Sequence, residues 1–548
     1  MNRKTTVKWV LLAVLALPFI LPWDGHGLAQ AEMPKKGGTV IEAMGTEPTN
    51  LDCFKARRRP ELTVLHLMIE PLFVVSPKLE VEPLLVESWK PSDDNKTWTF
   101  VLKKGLKFHD GTAVNAAAVK FSLEKHMKGS QAGKVKNIDS VSVVDDLTVA
   151  IALKNPNPGL PIKLASFDVG IVSPTAYEKA AGTWGSKVIV GSGPLMFKEW
   201  RSGDRVILVR NPDYKHGPPW LSNRGPAYVD EWIIRFIPEP ATLVAELTAG
   251  EVDLSDYVTE RDVQRVKGNP NTDLIMSRST SAIYLAINCS SENEPFGDVR
   301  VRQALAHAIS SESVRKAAMA GIGGPLYTPF APTTMGFWPK AEEIAKPLTK
   351  YDPEQAKKLL SDAGWKDTNG DGVVDKHGEP LTVNFLAFTI ARYRRMAEVA
   401  TPMLQEVGFK VDLKILEAGD LYERVLKGRH DLLSTGLVAS QGIVLDDMVD
   451  TMHSGSIGSI VQWCFFKDPK MDELLDKARF DTDPQARAAA LKDAQELAAA
   501  GLPVVPIALA MEIFGYKKRS IGGVENYTKH PWCFDQADAY RALEIYKQ

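Results

Sequence analysis

An aspartate- and glycine-rich run in the second half of the chain has the residue types and spacing of a calcium loop. Oxygen-bearing side chains recur at alternate positions and a glycine takes the sixth position, as in a short loop that wraps a hard cation. These side chains belong to Asp367, Asn369, Asp371 and Asp375. The twelfth position holds Gly378 instead of the glutamate that completes such a site, and a strand pattern follows. We therefore favour a plain β-hairpin, keep calcium as the alternative, and expect no resident metal.

Sequence signatures of hydrolytic enzymes are missing. The chain has no Gly-x-Ser-x-Gly motif and no His-Glu-x-x-His motif, and its ten histidines do not cluster at metal-ligand spacing. The adjacent Asp446 and Asp447 fit a helix start, where acids favour the positive end of the helix dipole, better than general acid–base chemistry. We predict that the protein is not an enzyme and needs no cofactor. A secreted hydrolase is the alternative from another class, and it would require a nucleophile–base pair.

The first residues have the organisation of an export signal. Basic residues occur within the first eight positions, an apolar run covers residues 9–20, and the small residues Ala29 and Ala31 follow. The apolar run is too short to span a bilayer, so we predict a cleaved signal peptide over residues 1–31 and a periplasmic location. No cysteine stands directly after the cleavage point to carry a lipid.

Charge, length and cysteine content restrict the classes of protein to which this chain can belong. The chain has 66 lysines and arginines against 68 aspartates and glutamates, a net charge of −2, which gives no electrostatic footprint for nucleic acid. A length of 548 residues indicates more than one domain. The four cysteines permit one or two disulfides in an exported protein, and their spacing does not select the pairing. They are Cys53, Cys289, Cys464 and Cys533.

A strand, a turn and a capped helix follow one another in the first quarter of the chain. Alternating apolar residues predict a strand over 97–102, a Phe-His-Asp-Gly turn follows at 108–111, and Asn115 can cap the next helix. Later signals include Gly250 as a helix C-cap and an amphipathic helix over 299–309. In this order the motifs resemble the extracellular solute-binding proteins of family 5, which serve ABC importers. The similarity extends over about residues 38–535.

The resemblance implies an α/β fold, the two-lobed periplasmic-binding-protein clamshell with an extra inserted domain in the first lobe. The first lobe is expected to comprise residues 32–73, 199–289 and 520–548, with the inserted domain at 74–198. The second lobe is expected at residues 290–519. Strands alternating with helices in the second half of the sequence agree with an α/β lobe.

The resemblance also implies a function without catalysis. The protein is expected to capture a small polar, peptide-like solute in the cleft between the lobes and to deliver it to the permease subunits of an ABC transporter. An oligosaccharide or a metal chelate is the alternative cargo within the same family. The expected partners are the solute and the permease, with no nucleic acid, and a monomer is expected.

Eight residues are candidates for contact with the solute. They follow from the family's cleft segments and from side chains that stack on ligands or bind carboxylates, although each tryptophan has core packing as an alternative role and Arg57 a solvated loop. The candidates are Phe54, Arg57, Arg392, Tyr393, Ser440, Gln441, Trp463 and Trp532.

One substitution within the expected cleft bears on the cargo. Peptide binders of the family carry a Trp-x-x-Asp segment whose aspartate pairs with the peptide ammonium, and here Leu437 and Ser440 take those positions. An ammonium buried without a counter-charge is unfavourable by several kcal/mol. Free-amine peptides are therefore disfavoured unless Asp446 or Asp447 supplies the missing charge.

Overall fold

The structure is a computed structural model. It describes residues 34–548 apart from 131, 291–292, 438–441, 460 and 525–533. Helices and strands alternate through most of this range. The strands are β1 (Thr39–Met44), β2 (Phe73–Val75), β3 (Val81–Pro83), β4 (Val86–Pro91), β5 (Thr97–Leu102), β6 (Ile138–Val143), β7 (Thr148–Leu153), β8 (Leu195–Arg201), β9 (Arg205–Arg210), β10 (Glu231–Phe236), β11 (Leu254–Ser255), β12 (Thr272–Ile287), β13 (Asp375–Lys376), β14 (Glu379–Pro380), β15 (Thr382–Phe388), β16 (Lys410–Leu416), β17 (Leu432–Leu437), β18 (Val504–Lys517), β19 (Ile521–Gly522) and β20 (Tyr546–Lys547).

The helices flank these strands, and two short 3-10 turns lie at Phe167–Val169 and Ser454–Ser456. The helices are α1 (Arg59–Leu65), α2 (Ala116–His126), α3 (Ala132–Val135), α4 (Leu160–Lys163), α5 (Pro174–Lys179), α6 (Pro240–Ala249), α7 (Val263–Gly268), α8 (Val299–Ala308), α9 (Ser311–Met319), α10 (Pro339–Leu348), α11 (Pro353–Asp362), α12 (Ala391–Glu406), α13 (Ala418–Leu426), α14 (Val444–Met452), α15 (Pro469–Phe480), α16 (Pro484–Gly501) and α17 (Phe534–Glu544).

The predicted α/β character is confirmed by a ten-stranded sheet that runs through the whole molecule. Its strand order is β16-β15-β17-β12-β18-β11-β1-β10-β9-β8. Strands β15, β16 and β17 pair in parallel at one end, and β1 pairs in parallel with β10 and β11 towards the other. Such parallel pairs require helical crossovers, which explains the alternation of strands and helices in the sequence.

Two long strands, β12 and β18, join the halves of this sheet. The register between them shifts between Arg278 and Ala282. On one side of the shift β18 also pairs with β11, and on the other side β12 also pairs with β17. Register shifts of this kind bend and twist a strand locally.

A separate four-stranded sheet of order β4-β5-β7-β6 carries its own core. Strand β5 has the predicted bounds, and its buried Trp98 and Phe100 stack with ring centroids 6.1 Å apart. Helix α2 packs on this sheet and begins where predicted, because the Asn115 side chain accepts a hydrogen bond from the N–H of Ala118. This capping satisfies one of the free donors at the helix start.

One predicted helix is shorter than its apolar pattern indicates. The spacing of apolar residues over 62–73 predicts a helix, whereas α1 ends at Leu65 and β2 begins at Phe73. The main chain leaves the helix because the carbonyls of Leu67 and Met68 accept hydrogen bonds from Leu195 and Gly193 of a distant segment. Tertiary hydrogen bonds therefore replace those of another helical turn.

Within the described part of the chain, we find no helix with the length and apolar character needed to cross a bilayer.

Candidate functional site

A cavity of about 360 Å³ lies between the region of the four-stranded sheet and the helices of the second half. One wall is formed by α3, α4 and the segment that leads into β6. The opposite wall is formed by α14, the end of α15 and Arg487 of α16. The two walls come from segments about 300 residues apart in the sequence, so the cavity depends on how the two parts of the molecule meet.

The first two turns of α14 give the cavity an acidic side. Asp446, Asp447 and Asp450 line it, and the first two lie in the first turn of the helix, as predicted. Only 9 % of the Asp447 surface is exposed, and its Oδ2 has no hydrogen-bond partner among the described residues. Burial raises the pKa of Asp447 well above its ordinary value, and the neighbouring Asp446 and Asp450 raise it further. Burial and Asp446 likewise raise the pKa of Asp450.

Lysines line the opposite wall. Lys163 of α4 forms an ion pair across the cavity with Asp446 of α14. Lys134 of α3 is paired with the buried Asp168. Burial alone would raise the pKa of Asp168, but the adjacent Lys134 and His66 outweigh it and hold that pKa well below its usual range. The cavity therefore contains fixed charges of both signs.

A second ion pair links the two halves of the molecule away from the cavity. Arg392, at the start of α12, pairs with Glu260, which follows β11, and its Nη2 also donates to the Tyr257 hydroxyl at 3.2 Å. Only about a fifth of the Arg392 side chain and about a tenth of the Glu260 side chain are exposed. Burial would lower the pKa of Arg392, but Glu260 and Tyr257 raise it overall, so the guanidinium remains charged.

Replacing Glu260 with glutamine is expected to loosen this contact. The loss of a partly buried charged hydrogen bond should lower the free energy of unfolding by about 1 kcal/mol. It should also increase the radius of gyration of the unliganded protein, measured by small-angle X-ray scattering. Glu398→Gln is the control, because the ion pairs that Glu398 forms in the described part of the chain are with Arg394 and Arg395 of its own helix. An equal change in the radius of gyration in both variants would contradict a role in holding the halves together.

All five of the predicted solute contacts that the structure describes lie outside the cavity lining. Phe54 is buried, with its ring centroid 4.8 Å from that of His126 and 5.6 Å from that of Tyr177, and Arg57 is exposed. Trp463 is buried in the core of the second half, where its carbonyl accepts a hydrogen bond from His430 at 2.9 Å.

Arg392 and Tyr393 are the other two of these described residues. Arg392 is held by Glu260 as described, and Tyr393 packs against Phe388 with ring centroids 5.8 Å apart. Ser440, Gln441 and Trp532 lie outside the described residues.

The calcium-like loop forms the predicted hairpin. Strands β13 and β14 pair through Asp375 with Pro380 and Lys376 with Glu379. The carboxylate of Asp367 accepts from the N–H groups of Gly370 and Gly372, and Asp375 accepts from Thr368. These oxygens stabilise the turn itself, and no cluster of metal-ligating side chains occurs in the described ranges.

Three cysteines lie within the described residues, and all three are unbridged. Cys289 and Cys464 are neighbours, because the N–H of Cys289 donates to the carbonyl of Cys464 at 2.7 Å. Cys53 is buried in another part of the molecule, and Cys533 lies outside the described residues. The disulfide pairing therefore stays open.

Comparison with known families agrees with this architecture. The model of the bacterial extracellular solute-binding proteins, family 5 (middle region), matches residues 80–458. The match includes the four-stranded sheet and most of both cavity walls. The chain belongs to this family.

Individual relatives cover nearly the whole chain. The oligopeptide-binding protein AppA of Bacillus subtilis (strain 168) is 28 % identical over 507 residues, covering 88 % of this chain and 89 % of AppA. The glutathione-binding protein GsiB of Salmonella choleraesuis is 27 % identical over 518 residues, covering 91 % and 94 %. The solved structure of AppA in complex with a nonapeptide superposes with a TM-score of 0.74 at 25 % identity, covering 94 % of this chain and all of that chain.

Proposed function

We propose that this protein captures a small, peptide-like solute between its lobes and presents it to the permease of an ABC importer. Family membership supports the role in transport, and the relatives AppA and GsiB are named as oligopeptide-binding and glutathione-binding proteins. The cavity between the two parts of the molecule is the observation that carries the proposal. Its volume lies at the small end of the range for ligand pockets, about 300–1,000 Å³.

The charges of the cavity favour a zwitterionic cargo. Lys163 and Asp446 face each other across it, and further charged groups of both signs line it. A peptide-like solute carries both signs of charge and can meet such walls with charge-assisted hydrogen bonds, whereas a neutral sugar cannot compensate them. Binding, not turnover, is the chemistry that this arrangement supports.

Closure of two lobes around the solute would complete the mechanism. We propose that the lobes follow the predicted boundaries, with the inserted domain at residues 74–198 and the second lobe at 290–519. The register shift between β12 and β18 supplies a place where the sheet can bend. Export through a cleaved signal at residues 1–31, a periplasmic location and a monomeric state belong to the same proposal.

A thermal-shift screen of the mature protein, stripped of solute by partial unfolding and dialysis, tests the function. The panel contains di- and tripeptides, N-blocked peptides, oligosaccharides, and nickel with and without chelators. A solute at about a hundred times its Kd should add about 2.7 kcal/mol to the free energy of unfolding. A response to peptides is the expected result. Responses confined to oligosaccharides or chelates would contradict the peptide-like cargo, and Ser- or metal-dependent hydrolysis of the peptides would contradict a pure binding role.

A further inference from the structure

Two of the three carboxylates on the acidic side of the cavity have no ion-pair partner among the described residues. Asp446 is paired with Lys163, but neither Asp447 nor Asp450 forms an ion pair with any residue that the structure describes. Of the two, Asp447 has the greater need of a partner, since it is nine-tenths buried and its Oδ2 accepts no hydrogen bond from a described residue. A buried carboxylate in this state is unfavourable unless a partner arrives.

The cations around the cavity do not supply that partner, because most are already engaged. Lys136 is near enough to influence Asp450 electrostatically but forms no ion pair with it in the described part of the chain. The engaged pairs are Lys134 with Asp168, Lys163 with Asp446, Arg479 with Asp476 at 3.6 Å, and Arg487 with the carbonyl of Asp481 at 3.1 Å.

We propose that Asp447, with Asp450 beside it, binds a positively charged nitrogen of the solute, an alkylammonium or a guanidinium group, inside this cavity. The inference rests on the proposed function and names the chemical class of its cargo. A solute cation placed against Asp447 turns an unpaired buried carboxylate into a charge-assisted hydrogen bond, which is about twice as strong as a neutral one. Part of the binding free energy therefore comes from giving the buried Asp447 carboxylate a partner that it lacks in the solute-free protein.

This site changes the expectation about free-amine peptides. Ser440 stands where peptide binders of the family have an aspartate, so the sequence disfavours a free ammonium. Asp447 lies seven residues further along, in the first turn of α14, on the wall of the cavity. It supplies the negative charge from a different position, and solutes with a free amino group return as cargo.

Isothermal titration with matched solutes tests the inference. The probes are di-, tri- and tetra-alanine, their N-acetylated forms, and N-acetyl-Ala-Ala-Lys, which separates a side-chain ammonium from a terminal one. The native mature protein is expected to bind the amine-bearing probes at least about tenfold more tightly than the acetylated alanines, which corresponds to about 1.4 kcal/mol. Asp447→Asn should abolish that preference, Asp450→Asn should weaken it, and Asp412→Asn, an exposed substitution on β16, should leave it unchanged.

A second readout needs no solute. Because an unpaired buried charge destabilises the empty protein, Asp447→Asn should raise its midpoint of thermal unfolding at pH 8 by about 1–2 °C. A lower midpoint would assign Asp447 a structural role and overturn the inference.

The outcomes separate the inference from the function on which it rests. Equal affinity for amine and acetylated probes, or a full preference in Asp447→Asn, overturns the cation site while the solute-binding function stands. If the wild-type protein binds no probe of either kind, the peptide-like function fails, and the inference fails with it.

Discussion

Replacing Glu42 with glutamine is expected to lower the free energy of unfolding by about 3–5 kcal/mol, because it removes the negative charge from a buried ion pair. Glu42 on β1 accepts hydrogen bonds from Nη2 of Arg541 at 2.9 Å and from Nε1 of Trp232 at 2.7 Å. The side chains of Glu42 and Arg541 are each 1 % exposed. The pair joins the first strand to the last helix, so its loss should be visible in the urea midpoint of the whole protein.

Two further variants identify the cause of that effect. Glu199→Gln removes a carboxylate from an exposed pair with Arg201, and it should leave the urea midpoint nearly unchanged. The double substitution of Glu42→Met with Arg541→Leu should recover part of the lost stability, since apolar residues often replace a buried ion pair without net loss, whereas Nε1 of Trp232 still loses its acceptor. If Glu42→Gln costs no more than Glu199→Gln, the buried pair does not hold the chain ends together.

The elements that the sequence predicts well are those whose determinants lie within a few residues. The bounds of β5, the Asn115 cap of α2 and the left-handed Gly250 at the end of α6 all follow from local patterns. The prediction that a helix extends over residues 62–73 was wrong at its C-terminal end. The hydrogen bonds that replace the next helical turn come from Gly193 and Leu195, far along the chain. Local propensity carries no information about such partners.

The site was harder to predict than the fold for a related reason. Aromatic side chains suit both a ligand cleft and a core, and Phe54 and Trp463 proved to be packed inside the protein. The cavity requires α4 and α14 to face each other, which no local pattern reports. The one usable signal was the acidic pair Asp446–Asp447, recognised as a helix start and as a possible replacement for the missing aspartate, but its burial could not be read from the sequence.

Acidification from pH 7 to pH 5 is expected to destabilise the protein through two buried histidines. His126 is fully buried and His430 is 1 % exposed. Each has its Nε2 within 3.0 Å of a main-chain carbonyl, of Gly170 and Trp463 respectively, and an Nδ1 without a hydrogen-bond partner among the described residues. Burial lowers the pKa of both imidazoles to about 4, because a proton on Nδ1 would place an unpartnered charge in the interior.

The sign of the effect follows from comparing the two states. In the unfolded chain each histidine has a pKa near ~6.5, so between about pH 6.5 and pH 4 the unfolded state binds more protons than the folded state. The stability that the neutral imidazoles contribute is therefore present above pH 6.5 and is lost as the pH falls. Each histidine should remove about 2 kcal/mol from the free energy of unfolding by pH 5 and about 3 kcal/mol by pH 4.

Urea unfolding at several pH values measures this loss. His126→Gln and His430→Gln should each reduce the slope of the free energy of unfolding against pH, below pH 6.5, by up to about 1.4 kcal/mol per pH unit. This change in slope is independent of any loss of packing that lowers stability at pH 7. His377→Gln is the matched control, since His377 is exposed in the turn between β13 and β14 and should leave the slope unchanged. If the free energy of unfolding still falls as steeply with acidification in both buried-site variants, groups other than these two histidines govern the response to acid.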